Sequence, residues 1–231
     1  LTFNKKNIIA YSRPSYEGFD ITKLSYLDSL AKNAIDSMMT PGIQMLVSRK
    51  GKIVYNKSFG YHTYEKVNKL ENNHIFDLSS ITKILATMPL VLQEFDKNKI
   101  SLETNLSELF PKKKLRDKGD ISLKEMLSHY ARLRPWIPFY EETLNKKEQP
   151  KSRFYKSNSK STFSTKVSEN LFLKSNYREK IFKSIVDSEL RDSLEYKYSD
   201  LPFYFLKFWF EDLYNKPLNI LAYDRIFKTL G

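Results

Sequence analysis

Ile43-Gln44-Met45-Leu46-Val47-Ser48-Arg49-Lys50-Gly51-Lys52-Ile53-Val54-Tyr55-Asn56-Lys57-Ser58-Phe59 reads as two β-rich runs around a short glycine-bearing connection. The pattern predicts strands over 43–48 and 53–59, joined as a hairpin. A two-stranded hairpin is not an independently stable sheet, so the fold requires further strands, and no other run in the sequence reads convincingly as one. Upstream, Leu24, Leu27, Leu30, Ala31, Ala34, Ile35 and Met38 recur at helical spacing over 21–39, and Pro41-Gly42 ends that helix. Downstream, 80–97 is the most apolar helical stretch so far, with Ile81, Ile84, Leu85, Met88, Leu92 and Phe95 on one broad face. Pro89 lies inside it and should kink it or remove one backbone hydrogen bond. Beyond it come a short helix over 121–129 and a proline- and aromatic-rich loop over 133–140. A basic, serine-rich stretch over 145–166 reads as a mobile excursion, and helical patterns follow near 177–190 and 201–215. Residues 1–20 are polar and turn-rich and read as a linker or lead-in. Gly231 suits a helix C-cap. The fold class expected is α+β.

Composition narrows the function. The chain has 231 residues with 41% hydrophobic, 14% aromatic and 29% charged residues, enough for a sizeable core and unlike a disordered chain. No apolar run approaches the ~18 residues of a membrane span, so no integral membrane segment is expected. Zero cysteines exclude disulfides, thiolate metal sites and cysteine nucleophiles. His62, His74 and His129 lie far apart without metal-ligand spacing, so no metal site is expected. The net charge of +12 raises nucleic acid as a partner, and 145–183 alone carries +8 of it. The excess is made of 30 Lys against 9 Arg, however, whereas arginine is favoured for bidentate base and phosphate recognition. A solvated basic surface is therefore the expectation, with no nucleic acid partner. The first residue is Leu1 and no signal-peptide pattern follows it, as expected of a processed product, an expressed segment or a fragment.

The chemistry centres on Ser80-Ile81-Thr82-Lys83. Serine and lysine three apart share a helix face, so the amine can reach the hydroxyl. Burial would lower the lysine pKa and let it take the serine proton, and the Ser80 N–H at the helix start would suit an oxyanion. Ser-x-x-Lys also occurs at Ser29/Lys32 and Ser157/Lys160, but only Ser80 follows a loop and opens an apolar helix. Spacing alone leaves a second reading open, in which Ser79 or Ser80 caps the helix and Lys83 lies on the surface. Tyr198-Ser199-Asp200 precedes another apolar helix. Its tyrosine could shuttle a proton for Ser80, or Asp200 could simply be an N-cap.

Asp77-Leu78-Ser79-Ser80-Ile81-Thr82-Lys83, then Leu127-Ser128-His129, then Tyr198-Ser199-Asp200-Leu201, stand in an order and at separations that resemble the serine β-lactamase and penicillin-binding-protein superfamily, most of all its class C and esterase-like branch. The hairpin followed by Gly60-Tyr61 resembles the first two sheet strands of that family. The 133–140 loop with 195–201 resembles the β-lactamase-like domains fused to family-three glycoside hydrolases in Bacteroidetes. The resemblance runs from about residue 20 to 231, which gives 1–20 as lead-in and 21–231 as the domain. It implies a β-lactamase/transpeptidase-like fold, with Ser80 as acylated nucleophile, Lys83 as activating base, Tyr198 as proton shuttle and Asp200 in the third position of a Tyr-x-Asn/Asp motif that meets substrate. It further implies attack on a lactam, amide or ester carbonyl in a small molecule or peptide, no metal or organic cofactor, a periplasmic or exported setting, and room for a fused glycoside hydrolase domain.

The sequence departs from the family at several points. No Lys/His-Thr/Ser/Ala-Gly triplet follows Tyr198. Ile226-Phe227-Lys228-Thr229-Leu230-Gly231 resembles instead a Phe-x-Pro-Leu-Gly-Met segment that lies before that motif, so the missing strands and missing motif are one absence, the C-terminal part of the domain. Arg132 stands where relatives usually carry glycine, and Pro202 replaces a common glycine at a helix start. The function expected is a β-lactamase-like serine hydrolase working through acyl-Ser80. The alternative is a truncated or degenerate scaffold that binds a glycan, peptide or protein. Without later strands, a sheet edge and parts of 203–210 and 218–227 should be exposed and promote association.

Overall fold

The computed structural model describes residues 9–230. The described residues up to Ser79, with Leu230, form one compact unit, and Ser80–Thr229 form the other. Residues 1–8 of the lead-in and the expected helix stop at Gly231 lie outside the described residues.

In the first unit, helix α1 (Ile21–Asp36) begins where Asp20 accepts hydrogen bonds from the N–H groups of Thr22 and Lys23. The expected hairpin is present as β2 (Gly42–Arg49) and β3 (Lys52–Gly60), antiparallel, with a bulge at Val47/Ser48. Lys50 (φ 52°) and Gly51 (φ 70°) both take the left-handed conformation, the type I′ geometry that matches the strand twist. Tyr55 of β3 donates to Asp28 of α1 at 2.6 Å, which ties sheet to helix. One further strand escaped the sequence reading: β1 (Ala10–Tyr11), two residues long, pairs parallel with β3, so the order is β1-β3-β2. Residues near it are built into the unit as well. Glu17 is buried, accepts from Ser12 at 2.8 Å and faces Lys52 at 3.4 Å. Two histidines distant in sequence also meet here, with His62 Nε2 2.8 Å from His74 Nδ1.

The second unit holds the larger core. Its first helix is not uniform: a π-helical turn (Lys83–Thr87) leads into α2 (Met88–Asp96). Pro89 has no N–H to give, and the wider turn directly before it changes the bonding register where a regular helix would lose a bond. Then follow α3 (Leu106–Leu109) and α4 (Leu123–Leu127), each opened by a reciprocal capping box, Asn105 with Glu108 and Ser122 with Glu125. The 145–166 stretch is not simply an excursion. It leads into a second three-stranded sheet, β4 (Tyr155–Lys156), β5 (Thr165–Ser168) and β6 (Leu171–Leu173), antiparallel in the order β4-β6-β5. These strands, two to four residues long, are too short to show alternation, which is why only the hairpin was legible. Helices α5 (Tyr177–Asp187), α6 (Leu201–Tyr214) and α7 (Leu218–Ala222) complete the unit.

Leu90, Leu106, Leu123, Met126, Ile185, Leu201, Phe205, Leu206 and Phe210 are completely buried in one cluster. The expectation that parts of 203–210 would be exposed is therefore corrected. Phe205, Leu206, Phe208, Trp209 and Phe210 all lie in the core, because α6 is apolar on nearly every face and is surrounded within its own unit. Ile220, Tyr223 and Phe227 do remain exposed, as do Ile81, Ile84, Leu85 and Leu92 on the first helix. Lys118 is wholly buried, and its Nζ donates to Val186 O (3.0 Å) and Ser188 O (2.5 Å), capping the carbonyl end of α5 with a cation. No helix among the described residues is long and apolar enough to cross a membrane.

Candidate active site

All four residues singled out in the sequence lie in the second unit, and three of them converge on the amine of the fourth. Lys83 begins the π-helical turn three residues after Ser80, and its Nζ donates to Ser80 Oγ at 2.9 Å. Of the three Ser-x-x-Lys pairs this is the one joined by a hydrogen bond. The same Nζ lies 2.7 Å from Asp200 Oδ1 and 5.2 Å from the centre of the Tyr198 ring. The Lys83 side chain is only 16% exposed, so the reading of it as a surface lysine does not hold. Nor does Asp200 act as a side-chain N-cap of α6: it bonds to none of the helix N–H groups and its carboxylate turns to Lys83 instead. Ser80 itself is exposed.

The electrostatics differ from the sequence expectation. Burial does push the Lys83 pKa down, but contact with Asp200 and Tyr198 outweighs it and holds the amine above the ordinary lysine value. Lys83 is thus an ammonium at neutral pH, and desolvation does not turn it into a free base. Tyr198 shifts the other way. Its contact with Lys83, and next its contact with Ser80, draw the phenol below its usual value. The group whose basic form is favoured beside Ser80 is therefore the phenol oxygen, and the cation that favours it is Lys83.

The Tyr198 segment is fixed by the loop that follows α4. His129 O accepts from Lys197 N–H (3.0 Å), Arg132 O from Arg191 N–H (2.8 Å) and Pro135 O from Asp200 N–H (2.8 Å). Ser199, buried, donates its hydroxyl to Arg134 O (2.5 Å) and receives the Leu201 N–H (3.1 Å) at the start of α6. Arg132 stands at φ 57°, so the backbone takes the left-handed conformation that suits glycine although the residue is arginine. Its Nε donates to Arg191 O at 2.5 Å, a bond that glycine could not make. Pro202 is in the first turn of α6, where a missing N–H costs nothing.

His129 was not among the residues singled out for the site, although Leu127-Ser128-His129 carried part of the resemblance. Its ring lies 4.6 Å from that of Tyr198, and its Nδ1 accepts the Ser199 N–H at 3.2 Å. Burial, then the charge of Lys83, lowers its pKa, with Asp200 opposing, so the imidazole is neutral at pH 7. Among the described residues no group of three or more His, Asp or Glu is arranged to hold a metal ion.

Comparison with known proteins bears on the family and the fold. The β-lactamase family profile matches residues 27–231. Among curated proteins, none matches. Solved structures share the fold, among them the following three. EstCE1, a hydrolase with promiscuous acyltransferase activity, is 22% identical with a TM-score of 0.62, over 90% of this chain and 51% of its own. The octameric penicillin-binding protein homologue from Pyrococcus abyssi is 15% identical with a TM-score of 0.63, over 89% and 42%. A class C β-lactamase from Rhodobacter sphaeroides is 14% identical with a TM-score of 0.61, over 88% and 48%. The chain thus spans about half the length of each of these structures. With the profile covering most of its length and its fold shared with solved β-lactamase and penicillin-binding-protein-homologue structures, this chain belongs to the β-lactamase family.

Proposed function

We propose that this chain carries the acylating half of a serine hydrolase site, with Ser80 as nucleophile toward a lactam, amide or ester carbonyl. The observation that carries the reading is the convergence of Ser80 Oγ (2.9 Å) and Asp200 Oδ1 (2.7 Å) on Lys83 Nζ, with Tyr198 against the same amine. Lys83 stays protonated and supplies charge. Tyr198, in its phenolate form, takes the Ser80 proton as Oγ bonds to the carbonyl carbon and the π pair moves to oxygen. When the tetrahedral adduct collapses, the bond to the leaving group breaks and Tyr198 returns the proton to it, leaving acyl-Ser80 for water or another acceptor. The Ser80 N–H at the helix start offers one oxyanion donor. Asp200 holds Lys83 and lines the approach to Ser80 as a substrate contact. This assignment moves the base from Lys83, where the sequence suggested it, to Tyr198, because Asp200 keeps the lysine charged.

A labelled penicillin tests the reading through covalent modification at Ser80 that Ser80→Ala removes. Reversible binding with no adduct would overturn it.

A further inference from the structure

The stitching between the loop after α4 and the segment before α6 contains one bond that depends on protonation state. The other contacts described above use backbone carbonyls, a serine hydroxyl and an arginine, none of which changes charge between pH 4 and 9. The bond from Ser199 N–H to His129 Nδ1 (3.2 Å) requires a lone pair on that nitrogen. An imidazolium carries hydrogen on both nitrogens, so protonation turns the acceptor into a donor facing a donor. Ser199 is the residue between Tyr198 and Asp200, the two groups that set the state of Lys83. His129 itself has little freedom, since its backbone is fixed at φ 62° and its carbonyl is bonded to Lys197.

The groups around the ring act in known directions. Lys83, on the Ser80 helix, opposes a second positive charge, whereas Asp200, from the segment before α6, favours one. Tyr196 lies edge-on at 6.0 Å, Tyr198 at 4.6 Å and Phe203 of α6 at 6.3 Å, so three aromatic rings border the half-buried imidazole. Protonated His129 would therefore face Lys83 as well as the Ser199 N–H, and relief comes from moving the 197–200 segment away.

We infer that His129 is a positioning residue for the proposed acylation: its neutral Nδ1 holds the Tyr198–Asp200 segment against Lys83 and Ser80, and protonation of the imidazole releases it, giving acylation an acid limb of its own. The inference rests on the Ser80 reading for its kinetic consequence, but the bond to Ser199 can be followed without any reaction.

The test combines two readouts on the same protein. The first is the Ser199 amide ¹⁵N–¹H signal against pH, compared with the His129 ring signals. The two are expected to titrate together, and a Ser199 amide that ignores His129 titration overturns the proposal. The second is the pH profile of acylation by a fluorescent penicillin for the unaltered protein, His129→Asn and His129→Ala. Asparagine tolerates the left-handed backbone and offers an amide oxygen near the Nδ1 position, but does not titrate. For the unaltered protein, the slope of log rate against pH should increase by one below the His129 titration. His129→Asn should lose that extra slope, whereas His129→Ala should lose it too and be slower by about tenfold above the His129 titration, a loss that His129→Asn largely restores. An unchanged acid limb in His129→Asn overturns the inference. Failure of the unaltered protein to acylate at any pH instead sinks the Ser80 reading, and the amide titration still decides whether His129 holds the segment.

Discussion

Lys83 Nζ and Asp200 Oδ1 are 2.7 Å apart, and in the proposed mechanism this pair sets which group beside Ser80 takes its proton. Burial lowers the Lys83 pKa, but contact with Asp200, and next with Tyr198, outweighs it. In Asp200→Asn the main opposing contact is gone, so the Lys83 titration should move to lower pH, visible in the ¹³Cε signal of labelled lysine. His129 should move the same way, because Asp200 is the group that raises it. A Lys83 titration unchanged by Asp200→Asn would mean that the pair does not control the amine.

Tyr198 should matter more than its position 41% exposed at the lip of the site suggests. Its phenol is drawn below the usual range by Lys83 first and Ser80 second. Tyr198→Phe keeps the ring against His129 and removes only the oxygen. The expected loss is about 10²–10⁴-fold in the acylation rate, with folding unchanged, measured by stopped-flow with a fluorescent penicillin. In Lys83→Met the phenol should titrate at higher pH, read from ¹³Cζ-labelled tyrosine with Tyr198→Phe giving the assignment.

Much of this was legible in the sequence, for identifiable reasons. The hairpin was readable because two β-rich runs flank Lys50-Gly51, where both central residues take positive φ. The pairing of Ser80 with Lys83 followed from helical spacing, and the involvement of Tyr198 and Asp200 from motif order. The charge state of Lys83 was not legible. It depends on where the Asp200 carboxylate points, and the same residue at a helix start could as well have capped α6. The short strands β4 to β6 hide in a serine- and lysine-rich stretch that shows no alternation. His129 was visible as a motif residue, but its bond to Ser199 crosses 70 positions and exists only after folding.

Phe205 anchors the core of the second unit: it is wholly buried and its ring lies 5.6 Å from Phe182 and 6.1 Å from Phe110. Phe205→Ala should cost about 3–5 kcal/mol of stability in urea unfolding. Ile84→Ser, on a side chain 62% exposed, should change stability by less than ~0.5 kcal/mol, which separates core packing from surface effects.

Glu94 is a wholly buried carboxylate that meets Lys97 (2.7 Å), Tyr214 (2.5 Å) and Arg225 (3.3 Å). Burial pushes its pKa up, but bonds to Lys97 and Tyr214 outweigh this and leave it below the ordinary glutamate value. A folded-state pKa below the unfolded one stabilises the protein above the unfolded value of 4.5, and that contribution fades as pH falls through the folded value. Glu94→Gln should therefore destabilise at pH 7 by about 2 kcal/mol, and the difference should shrink below pH 4.5. A gap independent of pH would assign the cost to packing rather than charge.

The central claim is that Ser80 becomes acylated, and intact-mass measurement after exposure to a labelled penicillin tests it most directly. The account predicts one adduct per chain, mapped to the peptide containing Ser80, absent in Ser80→Ala and much slower to form in Tyr198→Phe. A chain that stays at its unmodified mass of 27.3 kDa, or an adduct that persists in Ser80→Ala, would contradict it.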